Sequence, residues 1–440
     1  MEKILLKVFI VGSGFVGLTT GCSLAEKNIS INIIDIDHKK INDLKKGIIS
    51  FHEKGLDSLL KKLNIKKKIK FQSNYNNINS ADIIFICVDT PFDSKTKNIN
   101  LSQLYSVSNT LFSQLDVNSK KIIVIKSTVT PGTTEIIKMK FNKKFNNILF
   151  CNNPEFLREG SALDDFRNSD RIVIGSDNED SFRAVSSLYK KFKAPVFQLS
   201  ITEAEYSKYI SNIFFANLIS FTNEFADSIS VNRNVNYYKI LETLKYDKRI
   251  AVRNNNKIFF PSLLSYLTPG AGFGGSCFPK DTMAFKSFQE KNQKQSLFTS
   301  AIIRTNHNRI KIILKILSDN FKINKNSKIC ILGISFKPNS DDLRNSQSIN
   351  LFKHLSKKQK NIYVIDSIIK SEYAINKYNI KPLTELYDNF SKIIILMTAS
   401  DEFNHIKWKK LDGKVNLIID MRNAIKYNFI KTKLITCGIS

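Results

Sequence analysis

Residues 272–281, GFGGSCFPKD, place Cys277 after three glycines and ahead of a proline, a lysine and an aspartate. Glycines let a backbone approach a ligand closely, and a nearby cation such as Lys280 favours the thiolate form of a cysteine. A cysteine that only fills a core needs neither neighbour. The pattern therefore favours a reactive thiol, with a buried, inert cysteine as the alternative.

A second chemical pattern lies near the N-terminus, where VGSGFVG spaces Gly12, Gly14 and Gly17 as G-x-G-x-x-G between a predicted strand and a predicted helix. In a dinucleotide site the first glycine allows the tight turn, the second admits the pyrophosphate, and the third permits close helix–strand packing. Asp35 ends the next predicted strand, where a carboxylate binds ribose hydroxyls and repels a 2′-phosphate. We therefore expect NAD rather than NADP, the alternative being a glycine-rich turn beside a solvated aspartate. The predicted NAD contacts at this end also include Phe15, Val16 and Lys40.

Two further loops follow predicted strands of the same region. Thr90 and Pro91 come after ADIIFICV, and Ser127 and Thr128 come after KIIVI. Ligands of open α/β sheets lie beyond the carboxyl ends of the strands, so these residues are candidates for the cofactor site. Ordinary turn and helix-cap chemistry is the alternative.

The elements that position these residues fall into three regions. Residues 1–200 alternate near-continuous apolar runs with helical stretches, which predicts a parallel α/β sheet, and the same pattern returns over 323–440. Between them, 201–322 lacks strand patterns and begins with a long stretch of helical periodicity from 202 to 230. The expected architecture is α/β, with two Rossmann-like doubly wound domains joined by a long central helix and helical segment.

Composition excludes several classes. No apolar run reaches the roughly 20 residues of a membrane span, and six scattered cysteines without CxxC spacing argue against a zinc site or a disulfide scaffold. We expect a cytoplasmic protein without a metal. The formal charge of +28 could indicate nucleic-acid binding, best supported by KKLNIKKKIK at 61–70, but the lysines are spread along the chain and no nucleic-acid motif accompanies them.

Several motifs together resemble the UDP-glucose 6-dehydrogenases of the UDP-glucose/GDP-mannose dehydrogenase family. They are GFGGSCFPKD, NPEFLREG at 153–160, a helix carrying Lys208 and Asn212, and FKPNSDDLR at 336–344, in order along essentially the whole chain. The resemblance implies oxidation of the C6 alcohol of a nucleotide sugar to a carboxylate with two NAD⁺. Cys277 would add to the intermediate aldehyde as a thiohemiacetal, become a thioester at the second oxidation, and be released by water.

The resemblance also implies roles for individual residues. Lys208 and Asn212, one helical turn apart, would stabilise negative charge on the C6 oxygen. Asp281 would position water or move a proton, and Glu155 with Thr128 would activate the hydrolytic water. Glu159, Lys280 and Arg344 would contact NAD. The implied substrate contacts are Glu155, Phe156, Leu157, Lys208, Asn212, Arg249, Tyr266, Leu267, Gly274, Phe336, Lys337 and Arg422.

This sequence departs from the family pattern at VRNNNKIFFPSLL, an apparent insertion near 251–263 that puts the placement of Arg249 in doubt. The GGSC form, rather than GGHC, points away from N-acetylated amino sugars. We expect UDP-glucose as substrate, a surface-polysaccharide precursor as product, and a homodimer formed through the long helix. The alternatives are GDP-mannose or another nucleotide sugar, a β-hydroxyacid dehydrogenase without need of the cysteine, and a non-enzymatic nucleotide-sugar sensor or nucleic-acid-binding protein.

Overall fold

The computed structural model describes residues 6–232, 234–255, 257–324, 327–388 and 391–439. The chain divides into two compact units, Met1–Ser211 and Asn212–Ser440, and the division falls inside one long helix. Among the described residues, no helix combines the length and apolar character needed to cross a membrane.

The first unit is built on an eight-stranded sheet with a small separate hairpin, β5–β6. Its strands are β1 (Lys7–Val11), β2 (Ser30–Ile34), β3 (Ile69–Gln72), β4 (Ile83–Ile86), β5 (Phe92–Asp93), β6 (Asn98–Ile99), β7 (Lys121–Ile125), β8 (Ile148–Asn152), β9 (Ile172–Ser176) and β10 (Val196–Leu199). Its helices are α1 (Phe15–Glu26), α2 (His38–Lys45), α3 (Leu56–Ile65), α4 (Ser102–Gln114), α5 (Thr133–Asn142), α6 (Ala162–Arg167) and α7 (Glu179–Tyr189), followed by the start of α8 (Ile201–Ser228).

The strand order of this sheet is β10-β9-β8-β7-β4-β1-β2-β3. The six strands from β3 to β8 in that order run parallel, but β9 pairs antiparallel with β8, and β10 follows β9. The expectation of a wholly parallel sheet was therefore wrong for the last two strands. The physical reason lies in where the two strands meet: β9 overlaps β8 only at Cys151↔Ser176 and Asn152↔Gly175, so the connection stays at the carboxyl end of β8 and β9 runs back from there.

Both faces of this sheet are covered. Along β1, Val8 and Ile10 pack into one apolar layer, whereas Phe9 and Val11 pack into the layer on the opposite face. This is why the strands read as unbroken apolar runs rather than as alternating ones. The doubly wound arrangement expected for the region is confirmed.

The second unit repeats the design. Its six-stranded sheet is parallel throughout, in the order β15-β14-β13-β16-β17-β18. The strands are β11 (Val252–Asn254), β12 (Lys257–Phe259), β13 (Ile329–Leu332), β14 (Ile362–Ile365), β15 (Ile380–Lys381), β16 (Ile393–Leu396), β17 (Leu417–Asp420) and β18 (Lys433–Thr436). The helices are α9 (Tyr237–Lys245), α10 (Phe278–Lys291), α11 (Leu297–Asn320), α12 (Gln347–Leu355), α13 (Glu372–Tyr378) and α14 (Glu385–Asp388). Short 3₁₀ helices occupy Ile78–Ser80, Ile229–Val231, Ser262–Leu267, Asp401–His405 and Trp408–Lys410.

The segment before this second sheet is mainly helical, as expected. The 28 residues of α8 contain neither proline nor glycine, so nothing interrupts the helix. The expectation that no strands occur between 202 and 320 was wrong, because β11 and β12 form an antiparallel hairpin. That hairpin lies within the apparent insertion.

Candidate active site

The glycine motif forms the turn between β1 and α1. Gly12 has φ +100°, and a Cβ there would lie 2.6 Å from the carbonyl oxygen of Cys87. A Cβ on Gly17 would lie 1.9 Å from the oxygen of Gly12, so a side chain would force the helix away from the turn. Gly14 faces more open space, since the nearest atom to a Cβ is the Asp89 Oδ1 at 3.9 Å. The turn before α1 is thus tightly packed at Gly12 and Gly17 and open at Gly14. A phosphate could approach the N-terminus of α1, which carries Phe15 and Val16, from this open side.

Asp35 lies next to this turn, directly after β2. Its Oδ2 accepts hydrogen bonds from the Ser13 backbone amide (2.8 Å) and hydroxyl (2.6 Å) and pairs with the Lys40 Nζ at 3.3 Å. Burial alone would raise the pKa of Asp35, but the Ser13 and Asp37 hydrogen bonds and the Lys40 charge hold it below its ordinary value. Asp35 is therefore a carboxylate near neutral pH, suited to accept hydrogen bonds from ribose hydroxyls.

The loops after β4 and β7 are joined by hydrogen bonds. The buried Thr90 hydroxyl donates to the Thr128 carbonyl at 2.6 Å, and the Ser127 hydroxyl donates to the Val88 carbonyl at 2.7 Å. Pro91, the next residue along, is exposed. Thr90 and Ser127 therefore join the two loops, which is the structural role that was the alternative for them. The same contacts bring both residues together with Thr128 at one edge of the sheet.

Glu155 and Lys208 form a buried ion pair, with 2.7 Å between Lys208 Nζ and Glu155 Oε1. The other oxygen of Glu155 accepts the Leu157 backbone amide at 2.6 Å. Burial by itself would raise the pKa of Glu155, but the Lys208 ammonium and the Leu157 amide outweigh it and hold the pKa below its ordinary value. The pair is a fixed ammonium–carboxylate unit, with the lysine on α8 and the glutamate in the loop after β8.

The same loop carries the neighbouring predicted contacts. The Phe156 ring lies under the Arg171 guanidinium at 3.9 Å, and Lys208 Nζ lies 5.6 Å from the ring centroid. Leu157 packs against the core of the first unit, and Glu159 is partly buried. The loop therefore has a defined conformation in which its side chains make specific contacts.

Lys126 is a residue of this region that the sequence analysis did not identify. It is buried, and its Nζ donates to the Oδ1 (2.9 Å) and carbonyl (3.3 Å) of Asn153, which also accepts a 2.5 Å bond from the Tyr189 hydroxyl. Burial, the largest cause, lowers the pKa of Lys126 to about 8, against the raising effect of Glu155. The signal was present in the sequence, because a lysine at the end of a continuous apolar strand has no reason to be there unless it has a partner.

In the second unit, Cys277 lies at the N-terminal end of α10 and is partly exposed, whereas the other five cysteines are buried. The Ser276 hydroxyl lies 3.4 Å from its Sγ. A helix N-terminus favours an anionic group, so this position suits a thiolate.

The glycines before Cys277 make room for protein neighbours, which the sequence alone did not indicate. A Cβ on Gly275, at φ +81°, would lie 2.8 Å from the Phe336 ring, and one on Gly274 would lie 2.6 Å from the Asn345 carbonyl oxygen. Gly272, at φ +94°, is similarly close to Asn306 Oδ1. The cysteine loop therefore packs directly against the loop that carries Phe336.

Asp281 follows Cys277 by one helical turn and is fully buried. Its Oδ2 accepts a 2.5 Å hydrogen bond from the Asn212 amide, and its Oδ1 lies 2.7 Å from Lys280 Nζ. Asn212 and the pair Lys280 and Asp281 belong to two separate sequence motifs, and the structure brings all three side chains together.

The remaining predicted substrate contacts also lie in the second unit. Lys337 Nζ lies 5.7 Å from the Phe336 ring centroid, and Arg422 donates through Nε to the Met397 carbonyl at 2.7 Å, at the carboxyl end of β16. Arg344 and Arg249 are exposed, and each pairs with an aspartate two residues earlier, Asp342 at 2.8 Å and Asp247 at 2.6 Å respectively. Tyr266 packs on Phe215 with 4.6 Å between ring centroids, and Leu267 is buried.

Two polar residues of α11 hold the cysteine loop and were also missed. Asn306 makes a two-point contact with the Phe273 backbone, accepting from its amide at 2.8 Å and donating to its carbonyl at 3.0 Å. The fully buried Arg309 donates to the Gly270 carbonyl at 2.9 Å and pairs with Asp227. No sequence motif marks them, because their partners, backbone groups and the Asp227 carboxylate, lie far away in the chain.

Comparison with known proteins assigns the chain to a family. Three family models match in succession: the NAD binding domain of the UDP-glucose/GDP-mannose dehydrogenase family over 6–193, its central domain over 202–308, and its UDP binding domain over 330–427. The chain belongs to this family. It is an oxidoreductase of the NAD-dependent nucleotide-sugar dehydrogenases.

Relatives extend over nearly the whole length. The chain is 33% identical over 428 residues to a UDP-glucose 6-dehydrogenase of Bacillus subtilis, covering 95% of this chain and 89% of the relative. It is 31% identical over 438 residues to a UDP-glucose 6-dehydrogenase of Rickettsia bellii, covering 97% of each. Among solved structures, a UDP-glucose dehydrogenase from Pyrobaculum islandicum matches with a TM-score of 0.87 at 27% identity, covering 99% of this chain and 98% of that one.

Proposed function

We propose that this family member is a UDP-glucose 6-dehydrogenase that oxidises the C6 alcohol of UDP-glucose to the carboxylate, with two NAD⁺ per sugar and Cys277 as the covalent nucleophile. The observation that carries the proposal is the position of Cys277, the partly exposed cysteine at a helix N-terminus, one turn before the buried Asp281. The product, UDP-glucuronate, would be a precursor of surface polysaccharide. A cytoplasmic location stays a prediction.

Bound NAD⁺ supplies the acceptor for each hydride that leaves C6. In the first oxidation the alcohol loses a proton and a hydride and becomes an aldehyde. The chain's part is to stabilise the negative charge that develops on the C6 oxygen. Lys208 suits this role, because its ammonium is buried and is held by Glu155. Asn212, on the next turn of α8, is held by Asp281.

The second oxidation requires a tetrahedral carbon that still bears hydrogen, which a planar aldehyde does not offer. The Cys277 thiolate adds to the carbonyl carbon, and the resulting oxyanion takes up a proton to give a thiohemiacetal. Loss of that proton and of a hydride gives a thioester. Water then adds, the carbon–sulfur bond breaks, and the carboxylate and the thiolate are formed.

Glu155 and Asp281 are the carboxylates available for proton movement in the last step. The lowered pKa of Glu155 keeps it ionised, so it can accept a proton from the attacking water only weakly unless the Lys208 contact loosens. Asp281 is bound to Asn212 and Lys280. We assign the activation of water to Glu155, assisted by the neighbouring Thr128 loop.

The nucleotide is assigned to the second unit, which contains the UDP binding domain. Phe336 and Lys337 follow β13, and Arg422 follows β17, so all three lie beyond the carboxyl ends of parallel strands. Lysine and arginine suit the diphosphate oxygens, and an aromatic ring suits the uracil or the sugar.

A panel of substrates tests this function directly. Incubated to completion with limiting UDP-glucose and excess NAD⁺, the enzyme is expected to form two NADH per sugar and one uronate. GDP-mannose and UDP-N-acetyl sugars should react far more slowly, as should NADP⁺ because Asp35 repels its 2′-phosphate. One NADH per sugar would exclude the two-step reaction. Faster turnover of GDP-mannose would exclude UDP-glucose as the substrate but leave the chemistry intact.

We also propose a homodimer formed through α8. Within the second unit, Phe214, Phe221 and Phe225 are exposed on this helix, and Phe221 and Phe225 stack with 4.6 Å between ring centroids. Exposed aromatic side chains at helical spacing are typical of an interface. Sedimentation equilibrium should give twice the 50.3 kDa chain mass, and replacing Phe221 and Phe225 with serine should shift the protein towards monomer. A wild-type monomer at micromolar concentration would contradict the interface.

A further inference from the structure

Glu205, three residues before Lys208 on α8, is a buried carboxylate without a part in the proposed reaction. Its Oε2 accepts the Gly132 backbone amide at 2.5 Å, and its Oε1 accepts the Thr134 backbone amide at 2.9 Å. These amides belong to the N-terminus of α5, the helix that follows the loop carrying Ser127 and Thr128. One side chain therefore ties that loop–helix junction to α8.

The first turns of α8 are otherwise fixed by close packing. Ile201 and Ala204 are buried, and a Cβ on Gly175 of β9 would lie 2.6 Å from the Ala204 Cβ. Close packing thus fixes the start of α8 against β9, and Glu205 connects α8 to the junction between the Thr128 loop and α5. Lys208 lies one turn further along the same helix, where it meets Glu155.

We infer that Glu205 is a positioning residue: its carboxylate holds the loop of Thr128 at a fixed distance from Lys208, and so aligns the groups that the proposed reaction uses. An ionised carboxylate accepts at both oxygens, as both amides require. A protonated one turns one oxygen into a donor and loses part of the tie. The inference rests on the proposed function for its catalytic consequence, whereas the structural tie stands independently.

The charge state of this group gives the inference a measurable signature. Burial, the largest cause, raises the pKa of Glu205 to about 7, although its hydrogen bonds with Thr134 and Gly132 act in the opposite direction. The groups that face it are these two backbone amides, the Thr134 hydroxyl and the Glu135 carboxylate on α5, whose charge raises the pKa further. The tie is therefore complete only above neutral pH.

The free energy of unfolding also depends on the protonation of Glu205. The folded pKa is higher than the ordinary value of 4.5, so the folded state binds the proton more tightly than the unfolded state. The contribution of Glu205 to the free energy of unfolding is present below about pH 4.5 and is lost as pH rises through about 7. The form that aligns the site is thus the less stable one.

The test compares wild type with Glu205→Gln and with a control variant, Glu203→Gln. Glu203 lies on the same turn of α8 as Glu205, but it is exposed and accepts a hydrogen bond from the nearby Ser200. Wild type and Glu203→Gln should show kcat rising with pH through about 7. Glu205→Gln should lose that limb and have kcat reduced about ten-fold to a hundred-fold, with KM for NAD⁺ changed less. Its free energy of unfolding, relative to wild type, should increase as pH rises from about 4.5 to about 7.

The outcomes separate the two hypotheses. If Glu205→Gln keeps the wild-type acid limb and kcat, the positioning role is wrong. If the free energy of unfolding of Glu205→Gln relative to wild type does not change with pH, the raised pKa assigned to the buried Glu205 is wrong. If the protein oxidises no UDP-glucose at all but the pH-dependent stability difference is present, the proposed function is wrong. The catalytic role of Glu205 is then wrong as well, whereas its structural contact with the N-terminus of α5 remains.

Discussion

Replacing Cys277 with serine is expected to reduce steady-state NADH formation by at least about 10³-fold. A serine hydroxyl at this position is not ionised near neutral pH, so it cannot add to the aldehyde as the thiolate does. The binding of UDP-glucose and of NAD⁺ should change by less than about three-fold, because the substitution replaces one atom and leaves the side chains assigned to nucleotide contacts unchanged. Stopped-flow absorbance at the NADH band and equilibrium titrations measure the two effects separately.

Selective alkylation provides the control for this variant. Cys277 is partly exposed and the other five cysteines are buried, so iodoacetamide should label one site in the native wild-type protein and none in Cys277→Ser. Bound UDP-glucose should slow the labelling. Turnover by Cys277→Ser at more than about a tenth of the wild-type rate would contradict the role of a covalent nucleophile.

The second large effect is expected from Lys208→Met. This substitution leaves the buried Glu155 carboxylate without its ammonium partner, which should lower the free energy of unfolding by about 3 to 5 kcal/mol. It also removes the cation assigned to the C6 oxygen, which should reduce kcat by about 10² to 10³-fold. Urea denaturation and steady-state kinetics on the same preparations give both numbers.

Two comparison variants separate stability from catalysis. In Lys208→Met with Glu155→Gln the uncompensated charge is gone, so most of the stability should return while activity stays low. Lys138→Met breaks a more exposed ion pair with Asp177 in the same unit and should change stability by less than about 1 kcal/mol. If Lys208→Met were no less stable than Lys138→Met, the ion pair would not have the importance assigned to it. If the stabilised double variant regained activity, the oxyanion role of Lys208 would be wrong.

Much of the fold was predictable because its strands are buried on both faces. The unbroken Val/Ile runs of β1, β4 and β7 identified the first sheet, and the restart of the same pattern identified the second. The direction of β9 was not predictable, since an apolar run does not show which way its strand runs. Connection length does not show it either, because 153–171 is as long as 177–195, which joins the parallel pair β9 and β10. The edge strand β3 was hidden within a lysine-rich stretch.

That lysine-rich stretch has a place in the fold that accounts for its charge. Residues 61–70 provided the best support for nucleic-acid binding, yet they span the end of α3 and the start of β3. Leu63 and Ile69 in this stretch point into the core, and the lysines cover the solvent side. The stretch is accounted for as an amphipathic helix followed by an edge strand.

The site was predictable where motifs carry it and not where tertiary contacts do. The glycine spacing predicted the turn at Gly12 and Gly17, because backbone geometry imposes residue type locally. The partners of Lys126, Glu205 and Asn306 are backbone or amide groups distant in sequence, and many residue types present such groups. The available signal was a polar residue on an otherwise buried face of a strand or helix. Such a residue indicates that a hydrogen-bond partner exists, but it does not identify the partner.

In the proposed mechanism, the half-oxidised sugar is held covalently on Cys277 between the two oxidations and until hydrolysis. The most direct measurement is peptide mass spectrometry after acid quench of Glu155→Gln mixed with UDP-glucose and excess NAD⁺, since slowed hydrolysis should let the thioester accumulate. We expect the peptide containing Cys277 to carry the mass of the UDP-glucuronyl acyl group, in an amount that follows the NADH burst. A burst of NADH without an adduct on that peptide, or with an adduct on another residue, would contradict covalent catalysis by Cys277.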